Sequence, residues 1–278
     1  MNGSALRWLV VLAILSPAVH LQEPPAPTED QTFARCLAEF KVVRTSLTAY
    51  SFTKHITAER HEQTGKVAHH EEREYGYVPR PDGRFDIRLL TVNGAPPTEK
   101  ELKEHEKQMN KEFSKSPEQV AEDKKKAEEE DTSISEDFFD YFDFKPAGRD
   151  QWNGKAAFLL DFSPKAEIAE LKDKNKKLLR SMAGRAWVSE GEFRLLCVEM
   201  HNVKSVKIWG GLSGVDHFSV RTEYIPAASG PYLPKSETSQ WGLHVGFSNL
   251  GTFSRAEEYS NFQKVEVKPA ADKPPPTT

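Results

Sequence analysis

Two cysteines in 278 residues exclude a small disulfide-stapled scaffold, and no paired-cysteine spacing of a zinc site is present. Basic residues do not dominate. There are 38 Lys and Arg against 42 Asp and Glu, a formal net charge of -4. The cations are spread along the chain rather than massed on one strip, so nothing argues for a nucleic-acid partner. At 37% hydrophobic and 29% charged residues the chain is too polar for a polytopic membrane protein. Catalytic signatures are missing as well. Gly211-Leu212-Ser213-Gly214 lacks the spacing of a serine-hydrolase elbow. His61-Glu62 and His105-Glu106 start the metalloprotease helix pattern, but no second histidine follows at the required position. No glycine loop ahead of a helix could cradle a phosphate, and no spacing singles out an acid/base pair. The expectation is therefore no catalytic residue, no cofactor and no resident metal.

What is present begins with a leader. Arg7 precedes the apolar run Trp8 to Leu15, followed by Ser16-Pro17-Ala18, the pattern of a secretory signal peptide over 1–18. The run is too short to span a bilayer comfortably and no second one follows. An exported protein that does not span the membrane after cleavage is expected. Residues 19–30 read as a Pro-rich linker and 268–278 as a Pro-rich tail, leaving 31–267 as a single domain. Cys36 falls on the apolar side of a predicted helix and Cys197 in a predicted strand. In an oxidising compartment they either pair or remain two buried thiols.

Between Gly184 and Val267 the chain alternates short apolar-patterned segments with turn residues. In the segment Phe218 to Tyr224, Phe218, Val220 and Tyr224 fall two or four apart, with Arg221 and Glu223 between them. That period of two predicts half-buried antiparallel strands and a long, curved sheet with one apolar face. The N-terminal part repeats the pattern. Phe33, Cys36, Leu37, Phe40, Val43 and Leu47 recur at helical spacing, an amphipathic helix in need of a sheet. A two-residue turn at Thr64-Gly65 sets Phe52 opposite Tyr77. A turn at Arg80-Pro81-Asp82-Gly83 sets Tyr77 opposite Ile87 and Tyr75 opposite Leu89. Both registers place Tyr50, Phe52, Ile56, Tyr75, Tyr77, Phe85, Ile87 and Leu89 on one side of a meander. His55, Glu59, His70, Glu72 and Glu74 fall on the other. There His55 faces Glu74 and Glu59 faces His70, which suits either a zinc site or cross-strand ion pairing.

Thr98 with Glu101 forms a capping box that opens a charged helical insertion over 98–131. Its thin apolar stripe is Leu102, Met109 and Phe113. It reads as a solvated helix or as a mobile lid. The aromatic run Phe138 to Phe144 reads as core or as the plug of a cavity. Trp152-Asn153-Gly154-Lys155 predicts a tight hairpin. Ser163-Pro164 predicts a helix start and Gly184 its stop. The lysine-rich face of that helix reads as solvated, or as a contact for anionic headgroups. The apolar face, with Trp187, Phe218, Val220 and Tyr224 joining the meander's aromatics, either lines a cavity for an apolar ligand or is filled by its own helices.

The order of parts, with Gly184-Arg185-Ala186-Trp187-Val188, Gly230-Pro231-Tyr232-Leu233-Pro234 and Tyr259-Ser260-Asn261-Phe262, resembles the LolA-like family of outer-membrane lipoprotein-sorting proteins over most of 31–267. The resemblance implies an α+β fold: an unclosed antiparallel half-barrel with helices covering its concave face, located in the periplasm. It also implies a non-enzymatic carrier for a lipid or lipoprotein acyl chain. Related domains act instead as envelope sensors through a periplasmic or membrane-protein partner. The ligand-binding residues expected on this reading are Tyr50, Phe52, Ile56, Tyr75, Tyr77, Ile87, Leu89, Trp187, Phe218 and Tyr224. The charged insertion is a departure from a compact carrier of this kind.

Overall fold

The computed structural model describes residues 32, 34–36, 38, 47–81, 84–114, 119, 141–166, 179–208, 213–227, 230–245 and 248–266. The leader, the linker, the tail, the tip of the β2–β3 turn and the body of the expected lysine-rich helix, 167–178, lie outside them. Eleven strands form one antiparallel sheet: β1 Tyr50–His61, β2 Val67–Pro79, β3 Phe85–Val92, β4 Phe142–Trp152, β5 Lys155–Pro164, β6 Met182–Ser189, β7 Leu195–Asn202, β8 Val206–Ile208, β9 Ser213–Pro226, β10 Tyr232–Val245 and β11 Ser248–Lys264. Their order is β3-β2-β1-β11-β10-β9-β7-β6-β5-β4, with β8 also pairing β9. The outermost strands β3 and β4 do not meet, so the sheet is an unclosed half-barrel. The N-terminal meander joins the C-terminal strands through β1 and β11, which makes the two halves one continuous surface.

The hairpins explain the register. Asn153 and Gly154 adopt φ of 48° and 79°, the left-handed pair a two-residue turn needs, and Trp152 faces Lys155. Phe52 faces Tyr77 as expected, by a different route. The β1–β2 loop closes between Glu62 and Lys66, one residue longer than a two-residue turn. A bulge beside Arg60 and His61 absorbs the extra residue. Tyr77 faces Ile87 and Tyr75 faces Leu89, as the turn chemistry predicted.

Cross-strand partners share a face, so the registers trace the inner, apolar face across the sheet. From β4 it runs Phe144, Phe162, Gly184, Met200, Val220 and Ser239. The cluster on this face includes Phe142, Leu160, Phe162, Met182, Val188, Met200 and Phe218, all at most 5% exposed. Cys36 packs into it at 1% exposed, and the guanidinium of Arg35 lies 3.8 Å from the centre of the Phe193 ring. The helical residues around position 36 therefore cover this part of the inner face. Phe142 and Phe144 pack against Phe162, so the described part of the aromatic run is core.

Helix α1 (Glu99–Phe113) opens with the expected capping box between Thr98 and Glu101. Its sheet-facing stripe differs from the one expected. Leu102 is 45% exposed, and the inward positions are Glu101, His105, Met109 and Phe113, each four apart. His105 Nε2 lies 2.9 Å from the carbonyl of Ile87, and its ring packs 5.8 Å from Tyr75. Arg80 and Arg84 lie over the Phe113 ring at 4.6 and 5.5 Å. A histidine that satisfies an edge carbonyl replaces the leucine, because polarity alone does not mark it as an inward residue.

Two further expectations are corrected. Ser163 and Pro164 do not open a helix; they end β5, where Ser163 faces Asp143 and Pro164 faces Phe142. A proline is tolerated at a strand end, and pairing resumes after it as Lys165 donates to the carbonyl of Tyr141 at 2.9 Å. Gly184 does not stop a helix; it lies within β6, where an added Cβ would collide with the Glu199 carbonyl and the Phe162 ring.

Candidate functional site

The predicted aromatics of the meander do come together. Phe52 stacks on Tyr77 at 4.7 Å between ring centres, and Phe85, Tyr259 and Phe262 surround it at 5.6 to 5.8 Å. Tyr50 reaches the same group through Phe262 at 6.4 Å. Tyr50, Phe52 and Leu89 are buried, whereas Ile56, Tyr75, Tyr77 and Ile87 are half-buried and bound the group. Phe218 lies further along the same face, 6.1 Å from Trp241. Tyr224 is half-buried and packs against both apolar clusters.

Trp187 is not with them. Ala186 and Val188 belong to the inner cluster, so Trp187 between them points outward. It packs 4.9 Å from Trp152, with Cys197, Leu159 and Tyr232 in the same outer cluster, and its indole N–H donates to Asp150 Oδ2 at 3.2 Å. The single lining expected to join Trp187 to Phe218 is therefore corrected: the two belong to opposite faces. Cys36 and Cys197 are separated in the same way, and burial pushes the Cys197 thiol up to about 12.

Between the two aromatic regions the inner face carries a charged band that the sequence reading missed. Lys54 sits between Phe52 and Ile56 at the inward parity of β1. It faces Tyr259 on β11, Glu257 faces Glu237 on β10, and Glu237 faces Thr222 on β9. Lys54 Nζ lies 3.0 Å from Glu257 Oε2, with both side chains largely buried. The Tyr259 hydroxyl donates to the same oxygen at 2.7 Å, and Arg255 pairs with Glu257 Oε1 at 2.6 Å. Thr222 donates to Glu237 Oε2 at 3.2 Å. The Lys54 ammonium also lies 5.3 and 5.5 Å from the centres of the Tyr77 and Tyr259 rings, within cation–π range.

The electrostatics divide the two carboxyls. Burial pushes Glu257 up, but the charge of Lys54, the hydrogen bonds from Tyr259 and Lys54, and the charge of Arg255 together hold it below its ordinary value. Burial, then the neighbouring charge of Glu257, raises Glu237. Burial, then the charge of Glu257, also pushes Tyr259 up, which keeps it a hydrogen-bond donor.

The outer face carries the expected histidine–carboxylate pairs. Glu59 faces His70 and His55 faces Glu74. Glu59 bridges two imidazoles, His70 Nδ1 at 3.0 Å and His61 Nε2 at 3.0 Å, while His70 Nε2 lies 3.1 Å from Glu72. The hydrogen bond to Glu59 is the largest cause of a raised His70. Among the described residues no group of three or more His, Cys, Asp or Glu is placed to hold a metal ion, and cross-strand pairing accounts for these side chains. Among the same residues no helix is long and apolar enough to cross a membrane.

No family model matches the chain, and no curated protein does. Among solved structures it is similar to a domain from Vibrio parahaemolyticus described as an outer membrane lipoprotein-sorting protein, at 12% identity and a TM-score of 0.35, over 83% of this chain and 91% of that one. It is similar to a LolA superfamily protein from Nitrosomonas europaea at 10% identity and a TM-score of 0.34, over 87% and 96%. It is also similar to a chain of the MucA/MucB complex of Pseudomonas aeruginosa at 11% identity and a TM-score of 0.27, over 81% and 94%. At these identities the likeness is one of fold alone.

Proposed function

We propose that this chain is a periplasmic, non-enzymatic carrier that holds a lipid or lipoprotein acyl chain against the inner face of the half-barrel, in a role of the lipoprotein-sorting type. The observation that carries the reading is a continuous inner face, apolar on both sides of the charged band, on a sheet whose outer strands β3 and β4 do not meet. Such a surface takes acyl chains at about 0.8 kcal/mol per buried methylene. The half-buried Ile56, Tyr75, Tyr77, Ile87 and Tyr224 would meet the chain, with Tyr50, Phe52, Leu89 and Phe218 packed beside them. The test is native mass spectrometry, with lipid extraction, on protein purified from the periplasm. A co-purifying amphiphile is expected. A ligand-free protein that also ignores a fluorescent fatty-acid probe would sink the reading.

A second reading, an envelope-sensing module acting through a protein partner, rests on α1, which presents the exposed Leu102 on an otherwise polar, largely charged outer surface. It predicts that deleting 98–131 abolishes a pull-down while lipid binding persists. Retention of every partner after that deletion would exclude it.

A further inference from the structure

A carrier for bare hydrocarbon has no use for ions in the middle of its apolar face. Removing the Lys54–Glu257 pair from water costs several kcal/mol per ion, and apolar side chains at the same positions would avoid that cost. The band is also unevenly satisfied. Both oxygens of Glu257 are engaged, Oε1 by Arg255 and Oε2 by Lys54 and Tyr259. Glu237, its direct cross-strand neighbour, is largely buried. Among the described residues its carboxyl accepts one hydrogen bond, from Thr222 to Oε2. The donors at this point of the sheet are thus gathered on one carboxyl, and the acceptor capacity is left on the other.

We propose that Glu237, with Glu257 beside it, receives the protonated amine of a long-chain amphiphile whose hydrocarbon lies along the inner face; this rests on the carrier reading above. An ammonium brings three N–H donors and one positive charge, which matches a buried carboxyl short of donors and relieves the like-charge pairing across β10 and β11. An anionic head would meet two carboxyls, with the nearby cations Lys54 and Arg255 already paired to Glu257. The neighbouring rings already accommodate a cation, since the Lys54 ammonium lies over both Tyr77 and Tyr259. Apolar surface extends from the band in both directions, toward Phe218 and Trp241 on one side and toward Phe52 and Tyr77 on the other. The head group therefore fixes the position of a chain that either aromatic region could hold.

The test compares decylamine, decanol and decanoate as competitors against the neutral fluorescent probe N-phenyl-1-naphthylamine at pH 7, on the full-length protein and on E237Q. Decylammonium should compete at least about tenfold better than decanol, the worth of one charge-assisted hydrogen bond, and decanoate should be the weakest. In E237Q the preference for the amine over the alcohol should fall to within about threefold, on the same reasoning. Three probes of equal strength, or decanoate the strongest, would overturn the proposal and leave the carrier reading standing. Binding of neither the fluorescent probe nor any competitor would overturn both.

Discussion

Replacing Lys54 by Met keeps the length of the side chain and its apolar stem but removes the ammonium from a pair whose two side chains are 15% and 9% exposed. Breaking a buried pair from one side typically costs about 3–5 kcal/mol, because the remaining charge stays in low dielectric. Here Arg255 still pairs with Glu257 and Tyr259 still donates to it, so the loss for Lys54→Met belongs near the low end, roughly 3 kcal/mol. For a domain of this size that is a fall in melting temperature of roughly 6–12 °C. The double variant Lys54→Met/Glu257→Leu removes both charges. It leaves Arg255 free to turn toward solvent and Tyr259 without its acceptor, a penalty of about 1–3 kcal/mol. The double should therefore be more stable than the sum of the single losses by at least about 2 kcal/mol, a coupling characteristic of residues in contact. Urea denaturation of the four proteins, read by tryptophan fluorescence and by circular dichroism, measures each side of the cycle. A Lys54→Met loss below about 0.5 kcal/mol, the level of a surface substitution, or strictly additive singles would show that the band is not a buried network.

The two carboxyls of the band give opposite pH signatures. Glu237 is raised above its ordinary value of 4.5, so the folded state holds its proton more tightly and the associated stability is lost as pH rises through the folded value; Glu237→Gln should gain stability relative to the parent as pH climbs above 4.5. Glu257 is lowered, so its contribution is present above 4.5 and lost as pH falls through its folded value; Glu257→Gln should flatten the acid limb of the melting-temperature profile, and unchanged profiles in both variants would refute the assignment. On the outer face, an NMR titration should place His70 above 6.5, with Glu59→Gln bringing it down; an unchanged midpoint would remove the bridging role of Glu59. Gly184→Ala should destabilise by about 1–3 kcal/mol, as overpacking does, because the new methyl meets the Glu199 carbonyl and the Phe162 ring; Gly191→Ala, with open space around it, is the control.

The fold was legible where local chemistry decides it. Turn residues set the registers of both N-terminal hairpins, and even the misread length of the β1–β2 loop was compensated by a bulge that restored parity. The long-range order was not legible: that β1 pairs β11 follows from no local signal. The helix start expected at Ser163-Pro164 is instead the end of β5, because pairing with β4 outweighs a local N-cap pattern when a partner strand is at hand; Ala166 is helical and 167–178 lie outside the described residues. Trp187 was misplaced because β6 is covered on both faces, and a strand buried on both sides shows no alternation to read. One residue of the charged band could have been found. Lys54 falls at the same parity as Phe52 and Ile56, and a cation at an inward position signals a buried partner. Glu237 and Glu257 could not, because their meeting depends on the β10–β11 register.

Stability does not account for that band. Well-packed hydrophobic residues in place of a buried ion pair are commonly neutral or stabilising, so a sequence under pressure only for a firm sheet would have carried apolar side chains at Lys54, Glu237 and Glu257, as it does at Phe52, Ile56 and Val220. The band instead crosses the inner face where the N-terminal meander meets the C-terminal strands, and separates an aromatic group around Phe52 from one around Phe218. A hydrocarbon chain crossing it has to pass a row of committed donors and a carboxyl that accepts one hydrogen bond among the described residues, which penalises an uninterrupted tail and favours a molecule with a polar group at that point. On the amine-amphiphile proposal, polarity at mid-face would select against simple fatty tails and in favour of amphiphiles whose head sits inside the half-barrel, the opposite of the arrangement in which a head group stays at the rim. Removing the band with Lys54→Met/Glu237→Leu/Glu257→Leu should on this argument improve binding of decane or decanol and abolish the preference for decylamine. A triple variant that loses affinity for all three while remaining folded would show instead that the charges shape the cavity rather than choose its occupant.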